Sequence, residues 1–155
     1  MSDVARATVY VAVPPARAFA IFTEEIDAWW RRGPAYRIAG KRPGVLKFDS
    51  GKLLELVGER AYETGVVTAW EPPSRLEFEW RGVNFKPGES TTVEVTFAAQ
   101  REGTLVTVEH RGWSALPAGH PVRHGQPPAA FIGGVGMWWG QLLTSLREYA
   151  AQSQG

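Results

Sequence analysis

Three kinds of side chain in this sequence could do chemistry in a pocket: an imidazole, a carboxylate and a set of large aromatic rings. The imidazole is His110. It falls near the end of the run Thr104 to Arg111, in which Val106, Val108 and His110 share the inward face of an alternating strand. Imidazole titrates near neutral pH, so an inward His110 is a candidate pocket donor or general base. A hydrogen-bonded structural histidine is the competing reading. The carboxylate is Glu55. It alternates with Leu54 and Leu56, which predicts a side chain directed to solvent. The rings are Trp29, Phe78, Trp80, Phe97 and Trp139, drawn from a sequence unusually rich in tryptophan, with seven. Such rings can line a pocket for a flat apolar ligand, although core packing alone would account for each. His120 and His124 stand four apart, a spacing that faces a metal only from a helix. They lie among Pro and Gly with no third ligand nearby and no HExxH pattern, so no metal site is expected.

Other chemistries are excluded by what the sequence lacks. It has no cysteine, which removes disulfides, thiolate metal sites and cysteine nucleophiles. There is no GxSxG elbow and no P-loop. Gly134, Gly136 and Gly140 do not make a dinucleotide fingerprint, because the spacing is wrong and no strand leads directly into them. No cofactor is expected. The net charge of +1 is far from a nucleic-acid footprint. The basic cluster Arg31, Arg32, Arg37, Lys41 and Arg42 follows Glu24, Glu25 and Asp27, and reads as a solvated charged face. The N-terminal run MSDVARATVYVAV alternates like a strand and does not resemble a signal peptide. No apolar run approaches the ~20 residues of a membrane span. A cytoplasmic chain is expected.

The elements that must position these residues follow from periodicity and breakers. A length of 155 residues suits one domain, taken as residues 1–155, with enough chain to bury a core. Val4 to Val13 alternates, with Ala5, Ala7, Val9, Val11 and Val13 on one face. Pro14-Pro15 then opens a short helix that buries Phe19 and Phe22. Glu24 to Trp30 predicts a second short helix, and Arg31 to Pro43 a loop broken at Gly33-Pro34. Strand-like runs follow at Gly44–Phe48, Lys52–Val57, Ala61–Trp70, Arg75–Arg81, Thr91–Ala98 and Thr104–Arg111, separated by turn residues such as Asp49-Ser50-Gly51. In the fourth, Leu76, Phe78 and Trp80 face one way and Arg75, Glu77, Glu79 and Arg81 the other. Short intervals between strands imply an antiparallel sheet. Helices confined to the start and the end make an α+β layout.

The last long segment, Pro127 to Ala151, reads as an amphipathic helix. At about 100° per residue, Phe131, Val135, Leu142, Leu146 and Tyr149 fall on one face, with Ile132, Trp139, Leu143 and Ala150 beside them and Trp138 at the other edge. Gly133, Gly136 and Gly140 lie near the back. A glycine inside a helix costs about 1 kcal/mol relative to alanine, so these predict a late helix start near Gly136 in preference to a close packing contact. The glycine face also offers a surface for a homodimer. Before the helix, Ser114 to Gln126 is a long Pro/Gly/His-rich loop of the kind that serves as a lid or binding loop.

Four runs then stand in a recognisable order. They are Val13-Pro14-Pro15-Ala16-Arg17-Ala18-Phe19 with Trp29-Trp30 after it; Gly65 through Trp70-Glu71-Pro72-Pro73-Ser74-Arg75-Leu76; Gly103 through Gly112; and Trp139 followed by Leu142-Leu143. Their order, with strand, two short helices, six strands and a long C-terminal helix, resembles the START-like helix-grip (SRPBCC) superfamily. The local runs are similar to its branch named for activators of the heat-shock-protein-90 ATPase. The loop between Trp80 and Thr91 and the segment Ala115 to Phe131 match no pattern of that branch. The resemblance implies a helix-grip fold, a curved antiparallel sheet of about seven strands wrapped around the C-terminal helix, with a cavity between them.

On this reading the ligand-binding residues are Trp29, Phe78, Trp80, Phe97, His110, Val135, Trp139 and Leu142, and the expected partner is a small hydrophobic or aromatic molecule. The superfamily also holds cyclases, aromatases and hydrolases, so an enzyme using His110 is one alternative. Stimulation of a chaperone ATPase is another, although the layout leaves no room for the separate chaperone-binding domain of the activator proper. A non-catalytic binding module is the preferred reading. Fold alone does not choose among these.

Overall fold

The computed structural model describes residues 3–40, 42–81, 85–117, 119–123 and 125–152. In chain order the elements are β1 (Ala5–Val11), α1 (Pro15–Glu24), α2 (Ile26–Trp29), β2 (Val45–Asp49), β3 (Lys52–Val57), β4 (Arg60–Glu71), β5 (Arg75–Trp80), β6 (Thr91–Gln100), β7 (Gly103–Arg111) and α3 (Pro128–Gln152). The strands form one antiparallel sheet in the order β1-β7-β6-β5-β4-β3-β2. Chain neighbours therefore pair along most of the sheet, as tight turns require. At Asp49–Lys52 both central residues take positive φ (Ser50 54°, Gly51 78°), the twist that a two-residue hairpin needs. The exception is the passage from edge strand β1 to the opposite edge strand β2, made through α1 and α2. This is the α+β helix-grip architecture, with the sheet packed on the long C-terminal helix.

One face of the sheet supplies the core. Val9, Val11, Leu53, Leu76, Phe78, Val93, Val95, Phe97, Val106 and Val108 point inward to meet Phe19, Ile21, Phe22, Ile26 and Trp29 from α1 and α2. From α3 they meet Trp139, Leu142, Leu143, Leu146 and Ala150. These α3 positions recur at intervals of three and four, the stripe that one helical face presents. The outward face of β5, β6 and β7 carries a charge lattice in which Arg75 and Arg111 each pair with both Glu77 and Glu94.

Two expectations about the last helix change. It does not begin late: α3 is helical from Pro128 onward, through Gly133, Gly134 and Gly136. Nor does a close packing contact explain the glycines. A Cβ at Gly133, Gly134 or Gly140 would meet nothing within 4 Å, and one at Gly136 only the Arg6 carbonyl at 3.7 Å. The early turns are held by tertiary contacts that outweigh propensity. Phe131 sits edge-on to Trp113 at 5.0 Å, under the Arg123 guanidinium at 5.4 Å. The apolar stripe is thus divided. Its C-terminal half packs into the main core, while Phe131 joins a second cluster with Trp113 and Leu116.

Two local irregularities interrupt the regular pairing of the sheet, one between β4 and β5 at Val67/Ala69 and one that bears on the cavity. Between β3 and β4 the register jumps from Leu53↔Gly65 to Leu54↔Glu63, leaving Thr64 as an extra residue in a bulge. Thr64 and Gly65 are consequently both buried, breaking the alternation of β4. Gly65 has to be glycine, since a Cβ there would lie 2.3 Å from the Glu79 carbonyl oxygen of β5.

Candidate functional site

A cavity of about 430 Å³ opens between the N-terminal half of α3, the 34–38 loop and the β3–β5 end of the sheet. Trp30, Tyr36, Trp80 and Trp138 form one aromatic wall, with Trp113 at the other side. Trp30 and Trp80 stack with centroids 6.1 Å apart, and Trp138 stands edge-on to both, at 5.7 and 5.8 Å. Tyr36 stacks on Trp138 at 5.7 Å, and its hydroxyl donates to Gln141 Oε1. The indole N–H of Trp138 donates to the Ala35 carbonyl at 2.7 Å, and that of Trp30 to the Tyr36 carbonyl at 3.0 Å. The loop therefore satisfies the polar edges of Trp30 and Trp138, leaving their ring surfaces for packing. Phe131 and Val135 of α3 complete the apolar side.

Of the residues expected from sequence, Trp80, His110 and Val135 line this cavity, and Trp29, Phe78, Phe97, Trp139 and Leu142 do not. Those five are buried in the closed core. The two tryptophan doublets explain much of the displacement. In Trp29-Trp30, α2 ends at Trp29, whose ring turns onto Phe22, while Trp30 takes an extended backbone and reaches the cavity. In Trp138-Trp139, one ring lies on each side of the helix stripe. Trp139 goes to the core and Trp138 to the wall. The doublets mark the site in the sequence, but only helix phase and the helix end decide which ring faces it. Arg81, expected outward, lies just past the end of β5, where alternation no longer governs direction, and borders the cavity.

His110 is held on both sides of its ring. The Trp139 indole N–H lies 3.0 Å from Nδ1, and the Thr91 hydroxyl 2.7 Å from Nε2. Indole is a donor only, so Nδ1 accepts, and the neutral ring carries its proton on Nε2 and donates to Thr91 Oγ1. Thr91 passes its own proton toward the Trp80 carbonyl at 3.4 Å. Complete burial pushes the imidazole pKa down to about 3. The ring is a neutral tie between β7, β6 and α3 at the cavity's edge. To act as a base, Nδ1 would have to release the indole.

Glu55 reverses its expected direction. Leu53 and Glu55 face inward, and Leu54 and Leu56 are the half-buried outer pair. The burial is tolerated because the carboxylate accepts two backbone N–H bonds, from Ile38 at 2.9 Å and Ala39 at 2.6 Å. It thereby fixes the loop that carries Tyr36 and Ile38 into the cavity wall. Glu55→Gln keeps the size but can serve only one of these amides as an acceptor. The expected cost is about 1–3 kcal/mol in denaturant unfolding. An unchanged midpoint would show that the tether is not needed.

The same loop is gripped from its other side by Arg37, buried under α2. Its guanidinium pairs with Asp27 at 2.5 Å and donates to the carbonyls of Trp30, Arg31 and Asp27 at 2.9–3.1 Å. Asp27 also accepts from the Leu46 N–H at 2.9 Å, joining α2, the loop and β2. Burial pushes the Asp27 carboxyl up, but the Leu46 amide and Arg37 outweigh it and hold the group below its ordinary range.

At the far side of the cavity, the segment after β7 is pinned in place. Arg123 donates to the carbonyls of Trp113, Leu116 and Pro117. His120 accepts the Val122 N–H on Nδ1 at 3.1 Å and donates from Nε2 to Glu89 at 2.7 Å. Both its nitrogens are thus committed, and His124 lies outside the described residues. Among the described residues no group of three or more His, Asp or Glu side chains could hold a metal ion, and no helix is long and apolar enough to cross a membrane.

An antiparallel sheet gripping a C-terminal helix, with an aromatic cavity at the helix's N-terminal half, is the START-like helix-grip fold. Residues 12–151 match the family model described as activator of Hsp90 ATPase homolog 1-like protein, and the chain belongs to that family. Among curated proteins none matches. Solved structures share the fold at low identity. An AHSA1-like protein from Rhizobium etli superposes with a TM-score of 0.58 at 24% identity, covering 96% of this chain and 81% of that one. The Aha1 dimer from Colwellia psychrerythraea gives 0.60 at 14%, with 98% of each chain covered. DynU16, from the dynemicin biosynthetic locus, gives 0.61 at 21% over 99% of this chain, which spans about half of that protein (49%).

Proposed function

We propose that this protein binds a small, flat, largely apolar molecule in the cavity bounded by Trp30, Trp80, Trp138 and Val135. The observation that carries the reading is the cavity itself. Its volume of about 430 Å³ falls within the range of small-molecule sites, and its wall is largely aromatic, with the N–H groups of Trp30 and Trp138 already bonded to the loop. Binding without an assigned reaction is favoured over acid–base catalysis, because both His110 nitrogens are occupied by protein partners. Family membership keeps chaperone-ATPase stimulation as a separate activity to assay, and the dimeric Colwellia relative motivates a measurement of oligomeric state.

The test is a thermal-shift and native mass-spectrometry screen against lipids, polyketides and fused-ring aromatics. A true ligand at a hundredfold excess over its Kd stabilises the fold by about 2.7 kcal/mol. It should also quench tryptophan emission. Val135→Trp, which places a large ring on the half-buried cavity face of α3, should abolish binding of any hit while the variant remains folded. Ligand binding that survives this substitution would place the site elsewhere and sink the proposal.

A further inference from the structure

The cavity carries two polar atoms whose hydrogen-bonding capacity no group among the described residues meets. Thr64 is 5% exposed, and its Oγ1 has no hydrogen-bond partner among the described residues. Arg81 Nε is likewise buried and unpartnered. Both residues line the cavity. They are also neighbours across two strands, since the Arg81 N–H donates to the Thr64 carbonyl at 2.8 Å and the adjacent pair is Gly65↔Trp80. The β3/β4 bulge turns Thr64 inward out of the normal alternation.

Three other polar side chains on the wall are already satisfied. Glu55 is taken by two loop amides, Arg37 by Asp27 and backbone carbonyls, and His110 by Trp139 and Thr91. An unsatisfied buried donor is costly, and two on one cavity wall call for an explanation. A hydroxyl and a guanidinium N–H carried by residues paired through the backbone, both lining one cavity, can donate to one acceptor. The charge of Arg81 is only loosely balanced, by Glu63 at 3.7 Å on its exposed side.

We infer that Thr64 and Arg81 form a head-group subsite, and that the cavity's ligand is a flat aromatic body bearing an acceptor oxygen, carbonyl or carboxylate. This rests on the cavity-binding reading proposed for the protein. The ring system lies against Trp30, Trp80 and Trp138, and the oxygen takes the Thr64 hydroxyl and the Arg81 Nε–H. The subsite fixes orientation, as a few placed polar groups do in an otherwise apolar pocket.

Calorimetric titration with naphthalene, 2-acetonaphthone and 2-naphthoate tests it. The two oxygenated probes should bind at least about tenfold tighter than naphthalene. Thr64→Val, of the same shape, should cost both of them about tenfold and leave naphthalene unchanged. In Arg81→Met, a loss confined to 2-naphthoate marks an anionic head group, and an equal loss for both marks a neutral carbonyl. If all three probes bind equally to the parent protein, the subsite is wrong and the cavity reading stands. If none binds, both fall. Melting without ligand provides a second readout. Removing an unsatisfied hydroxyl should leave the melting temperature of Thr64→Val unchanged or raised. A drop of several degrees would mean that the hydroxyl serves the fold, and would overturn the assignment.

Discussion

Lowering the pH from 7 toward 3 is expected to weaken this fold steeply, beginning well above the carboxylate range, and His110 is the reason. In the folded chain burial holds its pKa near 3, against 6.5 for the free side chain. A group depressed in this way favours the fold fully above its unfolded pKa. As the pH falls below 6.5 the unfolded chain takes up a proton that the folded chain refuses, and stability drops until the folded pKa is reached. Within that window the slope from one such group approaches one tenfold change per pH unit, about 1.4 kcal/mol. Asp27 and Glu94 have depressed carboxyls, the first through the Leu46 amide and Arg37 against burial, the second chiefly through Arg75. Their contributions are present above an unfolded pKa near ~4 and are lost only as the pH falls further. Urea unfolding of the parent protein and His110→Gln at pH 7, 6 and 5 separates the two effects. The variant should start less stable, having lost part of the Trp139–His110–Thr91 chain, and the two curves should converge as the pH falls. Parallel curves would mean that His110 is not the group being titrated.

The second large effect is expected at Arg37. Its side chain is 1% exposed, and its guanidinium donates to Asp27 and to four backbone carbonyls, those of Asp27, Trp30, Arg31 and Gly44. Arg37→Met keeps the stem and removes every one of these bonds. Asp27 is 29% exposed and keeps Arg32 and the Leu46 amide, so the cost falls mainly on the buried carbonyls left without their donor, about 3 kcal/mol in all. Arg32 makes the instructive comparison. It pairs with the same Asp27, at 3.2 Å, but is 57% exposed, and its removal should cost no more than about 1 kcal/mol. Guanidinium chloride midpoints measure both. The loss at Arg37 should extend to function, since the loop it secures carries Tyr36 and Ile38 into the cavity wall. An Arg37→Met protein as stable as Arg32→Ala would show that the clasp is not structural.

Much of the architecture was legible because periodicity and breakers are local signals. The strands, the two short helices after β1, and the inward faces of β5, β6 and β7 follow from two-residue alternation bounded by Gly, Pro and Asp. The site was legible only in outline. His110, Trp80 and Val135, read from the sequence as inward, do line the cavity, because they lie on regular elements whose phase the pattern reveals. Trp30 and Trp138 were missed because each adjoins a second tryptophan, and the choice depends on where α2 stops and how α3 is rotated against the sheet. Thr64 and Arg81 were missed because a bulge and a strand end suspend the alternation that reveals which way a side chain points. Glu55 was assigned to the wrong side for a related reason. A carboxylate reads as a surface group, and nothing nearby in sequence announces that the amides of Ile38 and Ala39, seventeen and sixteen positions upstream, will receive it.

What the sequence determined by itself was the α+β helix-grip layout, the family resemblance and the aromatic stock from which a pocket is built. These depend on hydrophobic period and turn chemistry, which act within a few residues. What only the tertiary structure decided was which ring of each doublet faces the cavity, that α3 begins at Pro128 despite its glycines, and that the polar groups of the wall divide into satisfied and unsatisfied ones. Those outcomes depend on contacts between segments far apart in the chain. Phe131 against Trp113, Glu55 under the loop and Trp139 bonded to His110 come into being only when the sheet closes on the helix.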